Sequence, residues 1–163
     1  MKIKALAVAI ILCTAVLTKA HSFGLGAQFN VNAGRVFAPG AALVISPSDI
    51  VHLALNWYFG SDETNTVGLT LDACPLTLPL ASFRTGTFNF TLGVGLFANL
   101  ILADDPGFDG GLRFPVGFNI LLGRRTFEIY THVAPSFGLH LLPNMGLSDP
   151  FFPIAVGARL WFR

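Results

Sequence analysis

Residues 88–97, FNFTLGVGLF, place Phe88, Phe90, Leu92, Val94 and Leu96 on one parity and Asn89, Thr91, Gly93 and Gly95 on the other. Successive side chains of a strand point to opposite faces, so this segment has one bulky apolar face and one small, hydrophilic face. The period is 2, not 3.6. In a soluble sheet the apolar face meets a protein core and the other meets water. In a membrane barrel the apolar face meets lipid and the small face fills a narrow interior.

Composition narrows that choice. The chain has 163 residues, 53% hydrophobic and 12% charged, against about 25% charged in ordinary soluble domains. Past the N-terminus no apolar run reaches the roughly 18 residues that a membrane-spanning helix needs. Alternating strands that close on themselves are the other way to satisfy every backbone group in lipid.

The N-terminus has the layout of an export signal. Lys2 and Lys4 form a basic start, Ala5 to Leu17 an apolar core, and Thr18-Lys19-Ala20 a cleavage region with small residues. The expected division is a signal peptide over 1–20 and a barrel domain over 21–163. Cys13 offers a rival reading as a lipidated cysteine, although Leu12 precedes it where such sites want a small residue. The mature chain then keeps one cysteine, Cys74, which excludes an intramolecular disulfide. It also keeps seven basic residues, all arginine, against nine acidic ones, a net charge of −2. That balance argues against nucleic acid as a partner.

Period 2 recurs along the mature chain and predicts eight strands: 22–31, 40–46, 50–59, one starting at Val67, 88–97, 111–122, 126–141 and 152–162. In the fourth, Val67, Leu69, Leu71 and Ala73 share the apolar parity. Leu76, Leu78 and Leu80 then fall on the other, so a bulge or strand end is expected at Cys74-Pro75. The predicted fold is all-β, an eight-stranded antiparallel up-and-down transmembrane β-barrel preceded by a signal peptide.

The polar parity distinguishes a membrane barrel from a soluble one. A soluble barrel carries Lys and Glu freely on its wet face, whereas these strands hold glycines, amides, aromatic hydroxyls, a few charges and no lysine. A narrow eight-stranded barrel has room inside for side chains and little else. Aromatics are expected to form two rims on the apolar side, Phe23, Phe88, Phe127 and Phe162 at one, Trp57, Phe59, Phe114 and Phe152 at the other. An even strand count leaves both termini on the periplasmic side with the short connections 46–49, 81–86 and 123–125. The outer connections are then 32–39, 60–66, 99–110 and 142–150. These carry Asp62, Glu63, Asp104, Asp105, Asp109 and Asp149 against Arg35 alone, so the outer face is expected to be acidic.

The inward parity defines a candidate polar cluster of Arg113, Asn119, Glu128, Tyr130, His132 and Arg159. Glu128 and His132 share one face of their strand, and the last hairpin brings Arg159 opposite them, so a buried carboxylate finds a charge-assisted partner. The cluster reads as a structural plug or as a polar gate. Catalysis finds little support: a lipid-deacylating barrel would need a His-x-Ser pair, and His52, His132 and His140 are followed two residues later by Ala54, Ala134 and Leu142. Their spacing matches no metal site. The glycines of TLGVGLF form no phosphate loop, and no cofactor is expected.

An exported chain of eight alternating strands closing on ARLWFR resembles the small OmpA-type and OmpW-type outer-membrane barrels. Their last strand usually ends in an aromatic residue read by the assembly machinery; here Phe162 is followed by Arg163. The stretches GLRFPVGFNILLGRRTFEIYTHVAPSFGL and IAVGARLWF resemble, more narrowly, a group of small barrel proteins from spirochaete outer membranes. The resemblance implies a bacterial outer-membrane location, with membrane lipid and the assembly machinery as partners; the lack of a His-x-Ser pair leads to the expectation that the chain is not an enzyme. Two function classes follow. One is a surface-exposed structural or interaction module contacting host extracellular proteins or the envelope. The other is a narrow channel for small, including hydrophobic, solutes.

Overall fold

The structure, a computed structural model, describes residues 22–33, 38–60, 65–103, 106–142 and 144–162. The expected signal peptide lies outside them. Eleven strand segments follow in order: β1 (Phe23–Ala33), β2 (Ala38–Ser46), β3 (Val51–Phe59), β4 (Asn65–Phe83), β5 (Gly86–Leu102), β6 (Gly107–Arg113), β7 (Val116–Leu122), β8 (Phe127–Val133), β9 (Ser136–Leu142), β10 (Gly146–Leu147) and β11 (Phe152–Phe162). They make eight wall strands, because β6 with β7, and β8 with β9, are halves of single strands interrupted at Phe114-Pro115 and Ala134-Pro135, and the two-residue β10 pairs with β9 alone and is not part of the closed wall. Proline has no N–H to give the ladder, which explains both breaks. Its carbonyl still accepts: Gly93 N donates to Pro115 O at 2.8 Å, and Phe114 N to Pro135 O at 3.0 Å.

Every pairing is antiparallel and the sheet closes, β5 meeting β7 along its lower half and β6 along its upper half. The ladder is staggered. Following register partners from Leu71 leads through Leu53, Ile45, Leu25, Leu160, Phe127, Leu122 and Gly86 back to the same strand at Phe83. Such a shear accompanies the strand tilt of any closed barrel. It also leaves the β4–β5 hairpin longer than β2–β3 at the end that carries the tight turns together with Phe23 and Phe162. β3 covers β4 only down to the Val51–Ala73 pair, so the stretch below has an uncovered edge. Pro75 and Pro79 there remove N–H groups that would otherwise template further pairing. The expected slip is present, with register shifts between Ala73 and Leu76 and again between Pro79 and Ala81.

Several connections are shorter than expected. β5 and β6 pair as far as Ile101 and Gly107, which draws most of 99–110 into the wall. Within 142–150, β10 folds back onto β9 through Gly146–His140 and Leu147–Leu139. Phe114 sits at the break between β6 and β7, midway along its strand and not at a rim. Phe23 and Phe162 do close together at the turn end, ring centroids 6.4 Å apart.

The molecule is inside out relative to a water-soluble domain. Among the described residues the largest fully buried side chains are Asn30, Asn56, Ser46 and Ser136, while Phe29, Leu43, Leu55 and Trp57 are exposed on the outer wall. The opening stretch follows this rule, with Leu92, Val94 and Leu96 facing out and Asn89 and Gly95 buried. Its last residue departs from it. Phe97 points inward, 5% exposed, and meets Phe151 edge-on with centroids 5.0 Å apart.

Candidate functional site

The glycines of the inward parity act as gaps. In a narrow barrel, side chains on strands two apart meet only where the strand between them carries none. Gln28 of β1, Gly157 of β11 and Tyr130 of β8 are in register, and Tyr130 OH donates to Gln28 Oε1 at 2.8 Å across the glycine. A Cβ on Gly157 would lie 2.6 Å from the tyrosine hydroxyl. Asp72 of β4, Gly95 of β5 and Arg113 of β6 form a second such row, with Arg113 Nε 3.2 Å from Asp72 Oδ1. At Gly26 the Arg159 stem passes over β1 into the space a side chain would occupy.

Arg159 is the hub. Its register partner on β8 is Glu128, and Nε lies 3.2 Å from Glu128 Oε2. That Nε contact, like the one from Arg113 Nε, is an ion pair whose angle falls short of a hydrogen bond, while Arg159 Nη2 donates to Glu128 Oε1 at 3.3 Å. Nη1 donates to Ser46 Oγ at 2.8 Å and to His52 Nδ1, and the guanidinium covers the Tyr130 ring at 4.2 Å from its centroid. Glu128 is further satisfied by Trp161 Nε1 at 2.8 Å and Asn119 Nδ2 at 2.7 Å, and Asn89 donates in turn to Asn119 at 2.7 Å. A separate amide relay runs Gln28 to Asn30 to Asn56, each step 2.8 Å. Pairing each buried charge with an opposite one is what burial demands.

The six residues expected to cluster therefore divide. Asn119, Glu128, Tyr130 and Arg159 come together. His132 does not join Glu128 and Arg159: it stacks on Tyr130, ring planes 4° apart, and lies 3.3 Å from Arg113 Nη2. His52 takes the place beside Arg159 that was expected for His132. The physical cause is the stagger, which brings β3 rather than the far end of β8 under the arginine. Asp72, Ser46, His52 and Trp161 complete the network. Asp72, His52 and Trp161 lie on the polar parity of their strands, whereas the strand of Ser46 is small or aliphatic throughout and shows no clear parity; reach across a glycine is not visible in one strand.

Of the acidic loop residues, Asp62, Glu63, Asp104 and Asp105 lie outside the described residues. Asp109 is a strand residue of β6, paired in register with His140 and 2.5 Å from its Nδ1. Asp149 is exposed between β10 and β11.

Below the hub the lumen holds a cavity of about 240 Å³. Asp72, His52, Glu128, Arg159 and Trp161 line it, and it reaches the turn residues Asp49, Ile50 and Arg125. Toward the loop end, Asn30, Asn56, Tyr58, Phe97 and Arg113 are buried and fill the interior. The cavity lining thus extends to the turn end, while buried side chains occupy the interior toward the loop end.

No protein-family model matches the chain, and no curated protein matches it. Among solved structures it is similar to the N-terminal β-barrel domain of Pseudomonas aeruginosa OprF, at 16% identity and a TM-score of 0.42, with 86% of this chain and 97% of that one covered. It is also similar to Neisserial surface protein A, at 8% identity and a TM-score of 0.41, with 86% and 96% covered. The closed eight-stranded barrel itself rests on this chain's own strand pairings.

Proposed function

We propose that the protein is an integral barrel of a bacterial outer membrane that serves as a surface-exposed structural or interaction module, with an interior that supports the wall and does not conduct. The carrying observation is the inversion of polarity: a wall whose outer face is apolar around its circumference encloses a lumen of partnered amides and ion pairs. Lipid is the surrounding that makes such a surface stable. The resemblance of 111–139 and 154–162 to spirochaete outer-membrane barrels supports the same location. On this reading Phe162 is the closing aromatic offered to the assembly machinery, and the outer connections contact host proteins or the envelope.

The cavity favours a second reading, a narrow channel for small solutes entering from the turn end. Planar-bilayer recording on refolded protein tests the choice. The module reading expects no unitary conductance steps. Reproducible steps that grow on Arg113→Ala, which removes one of the buried side chains above the cavity, would favour the channel.

A further inference from the structure

The chain has no lysine beyond Lys19, so its later cations are seven arginines. Arg113 and Arg159 are committed to carboxylates inside the barrel. Arg84, Arg124 and Arg125 all lie at the turn end, on the β4–β5 and β7–β8 connections, which Gly123 N joins by donating to Thr85 O at 3.1 Å. Between the two turns lies a groove of about 390 Å³ lined by Phe83, Arg84, Thr87, Leu121, Arg124 and Arg125. Arg124 and Arg125 hold φ of 58° and 70°, a left-handed conformation that side-chain-bearing residues rarely adopt. The turn thus presents two guanidiniums where glycine or asparagine would sit more easily. Among the described residues the nearby carboxylate is Asp49, 3.8 Å from Arg125 and half exposed, a loose surface contact. Arg84 and Arg124 have no acidic partner among the described residues. Directly above, the outer wall is apolar and aromatic: Phe83 is exposed, and Phe88 stacks on Phe118 at 5.5 Å.

Apolar wall, aromatic pair and arginine cluster, in that order along the strands, match the order of acyl chain, interface and headgroup in a leaflet. We propose that this groove binds the phosphate of an anionic phospholipid in the leaflet at the turn end, with the acyl chains lying along the outer faces of β4, β5 and β7. Guanidinium forks suit phosphate oxygens geometrically, and net anionic lipid adds long-range attraction. The inference deepens the membrane-barrel reading and rests on it.

The test is native mass spectrometry of the folded mature protein in detergent with equal amounts of dioleoyl phosphatidylglycerol and dioleoyl phosphatidylcholine. Unaltered protein should retain the anionic lipid about tenfold over the zwitterionic one. The preference should vanish in Arg84→Gln/Arg124→Gln/Arg125→Gln and weaken in Arg84→Gln alone, which spares the strained turn; heat-modifiable gel mobility confirms that each variant is folded. Equal retention of both lipids, an unchanged preference in the triple variant, or displacement of the lipid by equimolar inorganic phosphate would overturn the assignment while leaving the barrel reading intact. Protein that folds as a monomer without detergent would overturn the barrel reading itself.

Discussion

Arg113 of β6 lies 3.2 Å from Asp72 of β4 although β5 runs between them, because the β5 residue in register with both is Gly95. A Cβ at that position would stand 2.1 Å from the Asp72 carboxylate, so the contact requires a residue without a side chain. The small face of FNFTLGVGLF is thus an opening through which its neighbours join.

Gly95→Ala should therefore sever the pair without touching either charged residue. Breaking a buried pair costs about 3 to 5 kcal/mol, and the loss should appear in the urea midpoint measured in detergent. Gly110→Ala is the comparison, since a Cβ there meets only Phe97 O at an ordinary 3.5 Å. If the two variants unfold together, the Asp72–Arg113 contact does not hold these strands.

The outer wall leads to a second expectation. Leu43, Leu55, Val156 and Phe162 are each about half exposed or more, an apolar surface that water does not tolerate in bulk. Purified mature protein should fold in detergent into a sheet-rich monomer whose mobility on an SDS gel changes when it is boiled. Good solubility of the folded monomer without detergent would refute the lipid-facing wall.

Much of this was legible in the sequence, and what was not has a common cause. Strand faces follow from period 2 alone, so Glu128, Arg159 and Asn119 could be assigned inward and the slip at Cys74-Pro75 anticipated. The halves of the sixth and seventh strands were missed although Pro115 and Pro135 mark them, because the apolar parity continues through both breaks. Inward Phe97 was hidden by its apolar character, and the exchange of His132 for His52 by the shear. Shear belongs to the closed ring and to no single strand. Partners on non-adjacent strands, such as Asp72 with Arg113 or Tyr130 with Gln28, depend on it.

The topology sets a third expectation. Ser22 and Phe162, the first and last described residues, share one end with the turns after β2, β4 and β7, and the connection between β5 and β6 lies at the other. With periplasmic termini, an epitope inserted between β5 and β6 should be detected on intact cells, whereas one placed within 123–125 should be detected only after the membrane is breached. Labelling in the reverse order would mean that the barrel sits inverted.

The last expectation concerns Glu128 and Arg159, register partners across β8 and β11 whose side chains are almost fully buried. Glu128→Gln leaves the guanidinium without its countercharge, and Arg159→Met leaves the carboxylate with only Asn119 and Trp161 as donors. Each should lower the urea midpoint by the equivalent of about 3 kcal/mol or more, because the surviving charge stays desolvated. The double variant removes both charges and leaves a neutral amide that Trp161 and Asn119 still reach, so it should recover part of the loss. Recovery of this kind is expected of residues in contact and not of distant ones. Conductance recorded on the same variants separates support from gating: a plug loses stability with no current, whereas a gate opens when either partner is removed. Additive losses without current would mean that the two residues neither pair nor gate, and would contradict the register of β8 against β11.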